Sequence, residues 1–312
     1  MPDFPGKRQI KEKVLGSAAR WTQIFNLSNG RKQNQEGEYA LEIRDIPLHD
    51  AHLHIQKGQP ISVYLEIAES LGTEFLGITE HLWDTANIPT DEPYYQDKTL
   101  ERILDMRKNA PQADSPKILW GCETEYAGTI SQVGIRPPQS DALDYIVVPH
   151  SHFFLPGFTF PAGMSQPEEI AGYMVKTFRE VAALPFDAVI AHPFDPTASQ
   201  FQQEDFLSSV FQFLPEPLLR DCFSLAAQNR KIIEINLGSF VHGLKSSLYQ
   251  RTFLTMFAAA KQEGCRFCLA SDAQKPADLH RLGAENARYI IEALDLHRED
   301  IIIPGVDAFP SF

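Results

Sequence analysis

Two histidines, two residues apart, are the first residues whose types and spacing could do chemistry. They lie in the run Asp50-Ala51-His52-Leu53-His54, just after an apolar approach. Side chains alternate across a β-strand, so on a strand His52 and His54 would share a face and reach one point at its end. Neutral imidazole is the commonest metal ligand in proteins near neutral pH. The pair predicts a metal site if further ligands arrive at matching places.

Polar side chains recur at the ends of seven strand-like segments. These segments end near His54, Glu80, Glu123, His150, His192, Asn236 and Asp272. Helical segments alternate with them, at 61–71, 99–109, 167–184, 206–230, 246–263 and 284–294. This alternation is typical of βαβ units around a parallel sheet. Functional residues of parallel barrels gather at the carboxyl ends of the strands, so the order predicts one site at that end.

The donors at these strand ends are a mixture of imidazoles and carboxylates. Such a mixture suits zinc, manganese or ferrous iron better than calcium or magnesium alone. Glu123 is the candidate carboxylate for bridging two ions. Two cations roughly 3.5–4 Å apart can share a water, lower its pKa and stabilise the attacking and leaving oxygens of a phosphate ester. The residues therefore predict hydrolysis.

The composition favours a large core and excludes several classes of function. With 312 residues, 43% of them hydrophobic, the chain is long enough for one barrel domain. A formal charge of −13 argues against a nucleic-acid-binding surface, although a metal-lined pocket can still attract an anionic substrate. No apolar stretch suggests a membrane span or a signal peptide, so we expect a cytoplasmic protein.

Two further features concern the organisation of the chain. Cys265 and Cys268 form a C-x-x-C, but their segment reads as a buried strand and favours a structural role over a zinc or redox pair. The first 45 residues are polar, with one short amphipathic piece near 14–25. We therefore predict an N-terminal extension at 1–45 and one catalytic domain at 46–312.

Taken together, the strand-end motifs resemble those of the PHP superfamily, named for polymerase and histidinol phosphatase. The family's motifs are an H-x-H, a G-[IV]-[ST]-[DE]-H, an isolated glutamate, two further histidines and an S-D-A-H. The matching positions are His52 and His54, residues 77–81, Glu123, the later histidines and residues 271–273. Residues 271–279 look most like the histidinol-phosphatase branch. The resemblance covers about residues 46–285 and implies a distorted (β/α)7 barrel.

The resemblance also implies a role for each matching position. One metal would be held by His52, His54, Glu123 and Asp272. Glu123 would bridge to a second ion held by His192 and by one of two histidines after the fourth strand. His152 fits the family's S-x-H-F pattern only by an offset, whereas His150 lies closer to the expected distance. Both stay candidates, with His152 slightly favoured. On a strand both would face the same way, so one would bind the metal while the other donates to the substrate.

Two departures from the family's pattern concern a third metal. Members with three metals use the histidine of S-D-A-H and another shortly after the H-x-H. Here the first position is Gln274, and residues 55–61 contain no histidine. A neutral amide is a poor ligand for zinc-like ions, so we expect two divalent ions, zinc, manganese or iron, and no third.

Without a third ion, His81 and Glu80 have two open roles each. His81 would act as a general acid near the leaving group, or would orient a metal ligand through a hydrogen bond. Glu80 would contribute to metal binding or hold His81. Asp272 joins them as a catalytic candidate in addition to its role as a ligand.

Substrate-binding candidates are fewer. Asn236 ends the sixth strand, where a positioning role is expected, and Glu234 lies on the same face. Phosphatases usually direct Arg or Lys at the phosphate oxygens, and the candidates near predicted strand ends are Lys275, His242, Lys245 and Arg136. The spacing singles out none of these four.

The sequence thus predicts a metal-dependent phosphoesterase that hydrolyses a small phosphate monoester with a metal-bridging hydroxide. One alternative is an amidohydrolase-like metal hydrolase that cleaves a C–N bond or a lactone. The Gly77–His81 run and the Ser271 stretch favour the phosphoesterase. A nuclease acting on short strands uses the same chemistry, but the acidic charge favours small substrates. A degenerate PHP module that only binds is the other alternative, and Gln274 favours it.

Overall fold

The computed structural model describes residues 45–136, 139–196, 201, 203–238 and 252–310. Residues Ile43–Phe312 group into one compact unit. The predicted extension at 1–45 lies outside the described residues except for Asp45. The strands are β1 (His49–Leu53), β2 (Phe75–Ile78), β3 (His81–Leu82), β4 (Lys117–Thr124), β5 (Tyr126–Ala127), β6 (Gln132–Val133), β7 (Tyr145–Pro149), β8 (Val189–Ala191), β9 (Ile232–Asn236) and β10 (Arg266–Ala270).

Helices alternate with the strands. The α-helices are α1 (Ile61–Ser70), α2 (Leu100–Asn109), α3 (Pro167–Ala182), α4 (Glu204–Phe211), α5 (Glu216–Gln228), α6 (Leu254–Gln262) and α7 (Ala284–Ala293). Short 3-10 helices span Pro93–Tyr95, Gln139–Ala142, Pro276–Leu282 and Arg298–Asp300. No helix in this described portion is both long and apolar enough to cross a membrane.

Parallel strands form a nearly closed barrel in the order β1-β2-β4-β7-β8-β9-β10. The short β3 also pairs with β4, and β5 and β6 form a separate antiparallel hairpin. The helices pack their apolar sides against this sheet, for example through Ile170, Met174 and Phe178 of α3, all fully buried. The architecture confirms the predicted seven-stranded α/β barrel.

The sequence places the seven barrel strands well and misses local interruptions. Each predicted strand end lies within two residues of an observed one. The predicted helix at 206–230 is two helices, because Pro215 and Pro217 cannot continue the backbone hydrogen bonds of α4. The strand β3 and the β5–β6 hairpin were not predicted, since two-residue strands carry no periodic pattern.

Tyr145, at the start of β7, fills the barrel interior and explains a glycine in the predicted metal motif. Its hydroxyl donates a hydrogen bond to the Ala51 carbonyl over 2.7 Å. A Cβ atom at Gly77 would lie 1.9 Å from the Tyr145 oxygen, and one at Gly121 would lie 3.0 Å from the ring. Both strands can pass this ring only because these two residues have no side chain.

Side chains help to close the seam between β1 and β10. At the carboxyl end of the two strands, the seam is closed by backbone hydrogen bonds. Asp272 N donates to the His52 carbonyl and His54 N to the Ala273 carbonyl, each over 2.8 Å. Nearer the amino end of β1, the side chain of Asp50 accepts hydrogen bonds from Ser271 N at 2.9 Å and Ser271 Oγ at 2.5 Å.

His49, the first residue of β1, makes the seam contact nearest the amino end of that strand. Its Nδ1 donates to the Pro47 carbonyl, and its Nε2 accepts from Leu269 N over 3.0 Å. Burial lowers the pKa of His49 to about 4, which keeps the ring neutral and able to accept. The first and last barrel strands are therefore joined by buried polar side chains as well as by backbone.

We predict that Asp50→Ala destabilises the fold by roughly 2–4 kcal/mol, because it leaves the buried N–H groups of His52 and Ser271 and the Ser271 hydroxyl without their acceptor. Urea denaturation in the presence of EDTA measures this cost separately from metal binding. Asp114→Ala, which removes an exposed acid, is the matched control. Equal midpoints for the two variants would contradict the proposed role of Asp50 in the seam.

Candidate metal centre

Five imidazoles surround the buried carboxylate of Glu123 at the carboxyl end of the barrel. The contacts to Glu123 Oε2 are His81 Nδ1 at 3.0 Å, His54 Nε2 at 3.3 Å and His52 Nε2 at 3.4 Å, and those to Oε1 are His192 Nε2 at 3.4 Å and His152 Nε2 at 3.8 Å. Each oxygen of Glu123 therefore faces its own set of ring nitrogens. This is the arrangement that a bridging carboxylate requires.

Three groups of side chains in the described residues bring ligand atoms within 4.8 Å of one another. They are His52, His54 and Asp272; His54, His81 and Glu123; and Glu123, His152 and His192. The structure thus assembles seven of the residues predicted from the sequence. It also groups His81 with two donors, whereas the sequence left His81 without metal partners.

The chemistry of this donor set fits metal ions. His52 Nε2 and His54 Nε2 lie only 3.2 Å apart. His52 Nδ1 donates to Glu234 Oε2 over 2.8 Å, so in the neutral ring Nε2 carries the lone pair, which is directed at the cluster. Two facing ring nitrogens at this distance need a proton or a cation between them, and zinc-like ions accept such imidazole and carboxylate donors.

Glu234, in the middle of β9, orients one side of the cluster. Its Oε2 accepts from His52, and its Oε1 accepts hydrogen bonds from Asn236 Nδ2 at 2.6 Å and from His192 N at 3.2 Å. Asn236 Nδ2 also lies 3.4 Å from Asp272 Oδ2. Asn236 therefore links Glu234 to Asp272.

Glu125 orients the opposite side of the cluster. His152 Nδ1 lies 2.9 Å from Glu125 Oε2, and the same oxygen accepts the Tyr95 hydroxyl at 2.5 Å. Glu125 and Tyr95 are both buried. A carboxylate behind a histidine fixes the ring's tautomer and turns its Nε2 toward a metal. Tyr95 and Glu125 thus form a chain that points His152 at Glu123.

The charges of the cluster balance one another. Burial alone would raise the pKa of Glu123, but the charges of His152, His52 and His81 hold it well below its usual range. Burial alone would lower the pKa of His152, yet the carboxylates of Glu125 and Glu123 raise it to about 9. The site therefore favours a carboxylate at its centre and positive charge around it, as divalent ions would supply.

Two of the candidate ligands have strained backbones. His192 has a φ of 27° and Asp272 a φ of 48°, and neither is a glycine. Such left-handed conformations cost of order 1–3 kcal/mol each and concentrate at functional sites. Each lies one or two residues past its strand, where this turn brings the side chain over the barrel end.

The structure does not bring His150 to the cluster. Its Nε2 accepts a hydrogen bond from Phe194 N at 2.8 Å, and its ring packs 5.0 Å from those of Phe178 and Phe194. Burial and the charge of His192 lower the pKa of His150 to about 3, so the ring is neutral. Strand alternation fails here because β7 ends at Pro149, before either histidine.

Other predicted site residues have different partners. Glu80 lies outside the three groups: its Oε1 accepts from Ile55 N at 2.6 Å, and its Oε2 lies 3.4 Å from Arg102 Nη2. Gln274 Nε2 donates to Asp272 Oδ1 over 2.8 Å. Lys275 and Arg136 are exposed, and His242 and Lys245 lie outside the described residues.

Sequence reasoning missed Glu125, Tyr95 and Arg102. Glu125 had a signal, since it lies two residues after Glu123 in the same segment, as His54 follows His52. Tyr95 and Arg102 had none, because their contacts join residues far apart in the chain and no local pattern predicts them. Glu125 contacts His152 and Tyr95 contacts Glu125, whereas Arg102 contacts Glu80, which lies outside the three groups.

No protein-family model matches the sequence, and no curated protein matches it. Among solved structures, the chain is similar to histidinol phosphate phosphatase from Lactococcus lactis subsp. lactis in complex with zinc, L-histidinol and phosphate. That match has 15% identity and a TM-score of 0.50 over 81% of this chain and 95% of the other. The likeness confirms the barrel fold that the sequence resemblance implied.

Two weaker structural matches accompany it. A candidate histidinol phosphatase from Listeria monocytogenes matches with 16% identity and a TM-score of 0.47, over 75% of this chain and 97% of the other. An amidohydrolase from Pseudomonas aeruginosa matches with 11% identity and a TM-score of 0.34, over 82% and 92%.

We predict that His152→Asn removes about one metal equivalent per chain, whereas His150→Asn keeps the metal content of the unchanged protein. The His150 variant should instead lose roughly 1–3 kcal/mol of stability, because Phe194 N loses a buried acceptor. Elemental analysis of protein purified without chelator, together with urea denaturation, measures both effects. Loss of metal from the His150 variant alone would reverse the two roles.

We also predict that Glu234→Gln and Glu125→Gln each weaken metal binding by about 10–100-fold, because outer partners fix the ligand rings. Competition with a chromophoric chelator gives the stepwise dissociation constants. Glu234→Gln should affect the ion near His52, and Glu125→Gln the ion near His152. Glu292→Gln, at an exposed glutamate, is the isosteric control. Unchanged constants in both variants would contradict the positioning roles.

Proposed function

We propose that this chain is a metal-dependent hydrolase of the PHP type that cleaves small phosphate monoesters. The observation that carries the proposal is the position of Glu123 between two sets of donors. Its Oε2 faces His52 and His54, and its Oε1 faces His152 and His192. Two ions held on opposite oxygens of one carboxylate are typical of sites that hydrolyse phosphate esters.

The residues divide into ligands and residues that hold the ligands. His52, His54 and Asp272 would bind one ion, and His152 with His192 would bind the other. Bound divalent ions would lower the pKa of a water and neutralise negative charge on the phosphate. The protein's own part is to fix the donors, through Glu234 behind His52 and Glu125 behind His152. Zinc, manganese and iron all suit these donors.

His81 is the candidate for proton transfer or for further metal binding. It lies 3.0 Å from Glu123, and 16% of its side chain is exposed, more than that of the other histidines around Glu123. Burial and the charge of His54 lower its pKa, so a neutral ring is favoured. The partial exposure lets a substrate reach this ring from the open side of the barrel.

Several features support a small phosphorylated substrate. The donors lie at the end of a barrel packed with side chains, and the net charge of −13 disfavours long polyanions. The similar structure from Lactococcus lactis holds zinc, L-histidinol and phosphate. L-histidinol phosphate is therefore among the first esters to assay.

The test begins with protein stripped of metal by dipicolinate and reloaded with zinc, manganese or ferrous iron under inert gas. We expect about two ions per chain and EDTA-sensitive release of phosphate from at least one ester in a broad panel. A metal-loaded protein that instead cleaves a hydantoin or a lactone would be a hydrolase of a different bond. Failure to bind any of the three metals would leave only a binding module.

We predict that Glu123→Gln lowers kcat/KM by at least about 100-fold and reduces the metal content, because the amide cannot bridge two cations. Glu66→Gln, an isosteric change at an exposed glutamate, should retain full activity and metal content. Phosphate release and elemental analysis on the same preparations measure both. Full activity in the Glu123 variant would overturn the proposed role of this carboxylate.

A further inference from the structure

Two half-buried aromatic rings border the open side of the metal centre. Tyr94 lies in the 3-10 helix after β3, with its ring 5.5 Å from that of His81. Phe154 lies in the loop after β7, with its ring 4.6 Å from that of His152. The two aromatic rings contact each other edge to face at 5.1 Å. They therefore form a continuous apolar surface, which we call the aromatic wall.

The wall stands where the centre is open to solvent. The exposed fractions of the candidate ligands are 19% for Asp272, 16% for His81 and 11% for His152. The remaining ligand side chains are at most 7% exposed. Solvent thus reaches the centre past Asp272, His81 and His152, and the aromatic wall contacts two of these three. A substrate entering from this side would pass along the wall.

Buried aromatic side chains pack behind Tyr94. Tyr94 packs edge to face against Tyr95 at 4.9 Å, and Tyr95 belongs to a buried aromatic cluster with Trp83. Tyr95 also donates its hydroxyl to Glu125, which orients His152. The residues that position His152 therefore also position Tyr94. Binding of a ring against the aromatic wall would then cost little side-chain conformational entropy.

We propose that Tyr94 and Phe154 bind the leaving group of the substrate, and that this group is apolar with an aromatic ring. The inference rests on the proposed phosphoesterase function, since the metals would take the phosphate and leave the alcohol to lie along the wall. Binding pockets combine a few polar groups that fix orientation with apolar and aromatic walls that supply contact area. Aromatic rings pack best on other rings, edge to face or offset.

Benzyl phosphate and ethyl phosphate test this preference. Both release an alkyl alcohol, so the difference in leaving-group chemistry is small. With metal-loaded protein, we expect kcat/KM to be about tenfold higher for benzyl phosphate, and we expect Tyr94→Ala and Phe154→Ala to bring the ratio close to one. Tyr94→Phe, which keeps the ring, should keep the ratio. Phe213→Ala, at an exposed ring after α4, is the matched control.

Calorimetric binding of benzylphosphonate and ethylphosphonate separates the wall from the chemistry, because neither compound can be hydrolysed at an ester. Tighter binding of benzylphosphonate that depends on Tyr94 would support the wall even if no ester were cleaved, in which case the hydrolase proposal fails alone. Cleavage of both esters at equal kcat/KM overturns the wall and leaves the hydrolase. An equal loss for both esters in the alanine variants, or failure of both phosphonates to bind, also overturns the wall.

Discussion

The centre depends on closure of the barrel between its first and last strands. His52 and His54 come from the end of β1, and Asp272 follows β10, so these donors meet only if the two strands lie side by side. Buried polar side chains do much of this joining: Asp50 accepts from Ser271, and His49 accepts from Leu269 N. Burial raises the pKa of Asp50 to about 6. The Asp-x-His-x-His run therefore holds the barrel closed with its first residue and supplies ligands with its last two.

The second constraint is a buried negative charge. Glu123 lies at the centre of the barrel end, and a carboxylate without partners in such a place would be strongly unfavourable. Five imidazoles offset it, and two of these are backed by carboxylates of their own, Glu234 and Glu125. Packing thus places imidazoles next to Glu123 and further carboxylates behind two of those imidazoles. This packing leaves ring nitrogens directed inward, which is why the arrangement suits cations.

The sequence predicted the barrel and most of the centre, because both follow from local rules. A period of two within strands and a polar residue at each strand end made His52, His54, Glu123, His192 and Asp272 candidates, and the family resemblance implied their roles as ligands. The sequence favoured His152 over His150 only slightly, since both lie beyond the end of β7, where alternation no longer determines direction. The Tyr95–Glu125–His152 chain was out of reach because it joins separate loops. The grouping of His81 with His54 and Glu123 depends on the short β3, which has no pattern of its own.

At His192 and Asp272, the residue types that would best stabilise the left-handed backbone differ from those that could bind a metal. At either position a glycine would relieve the backbone, and an asparagine would tolerate it better than most residues. A chain kept only for its shape would drift toward those residues and become more stable. A chain under selection for metal binding has to retain an imidazole and a carboxylate there, with the strain that they bring. At these two positions, a chain that binds metal and a chain that has kept only the fold would therefore be the first to differ in sequence.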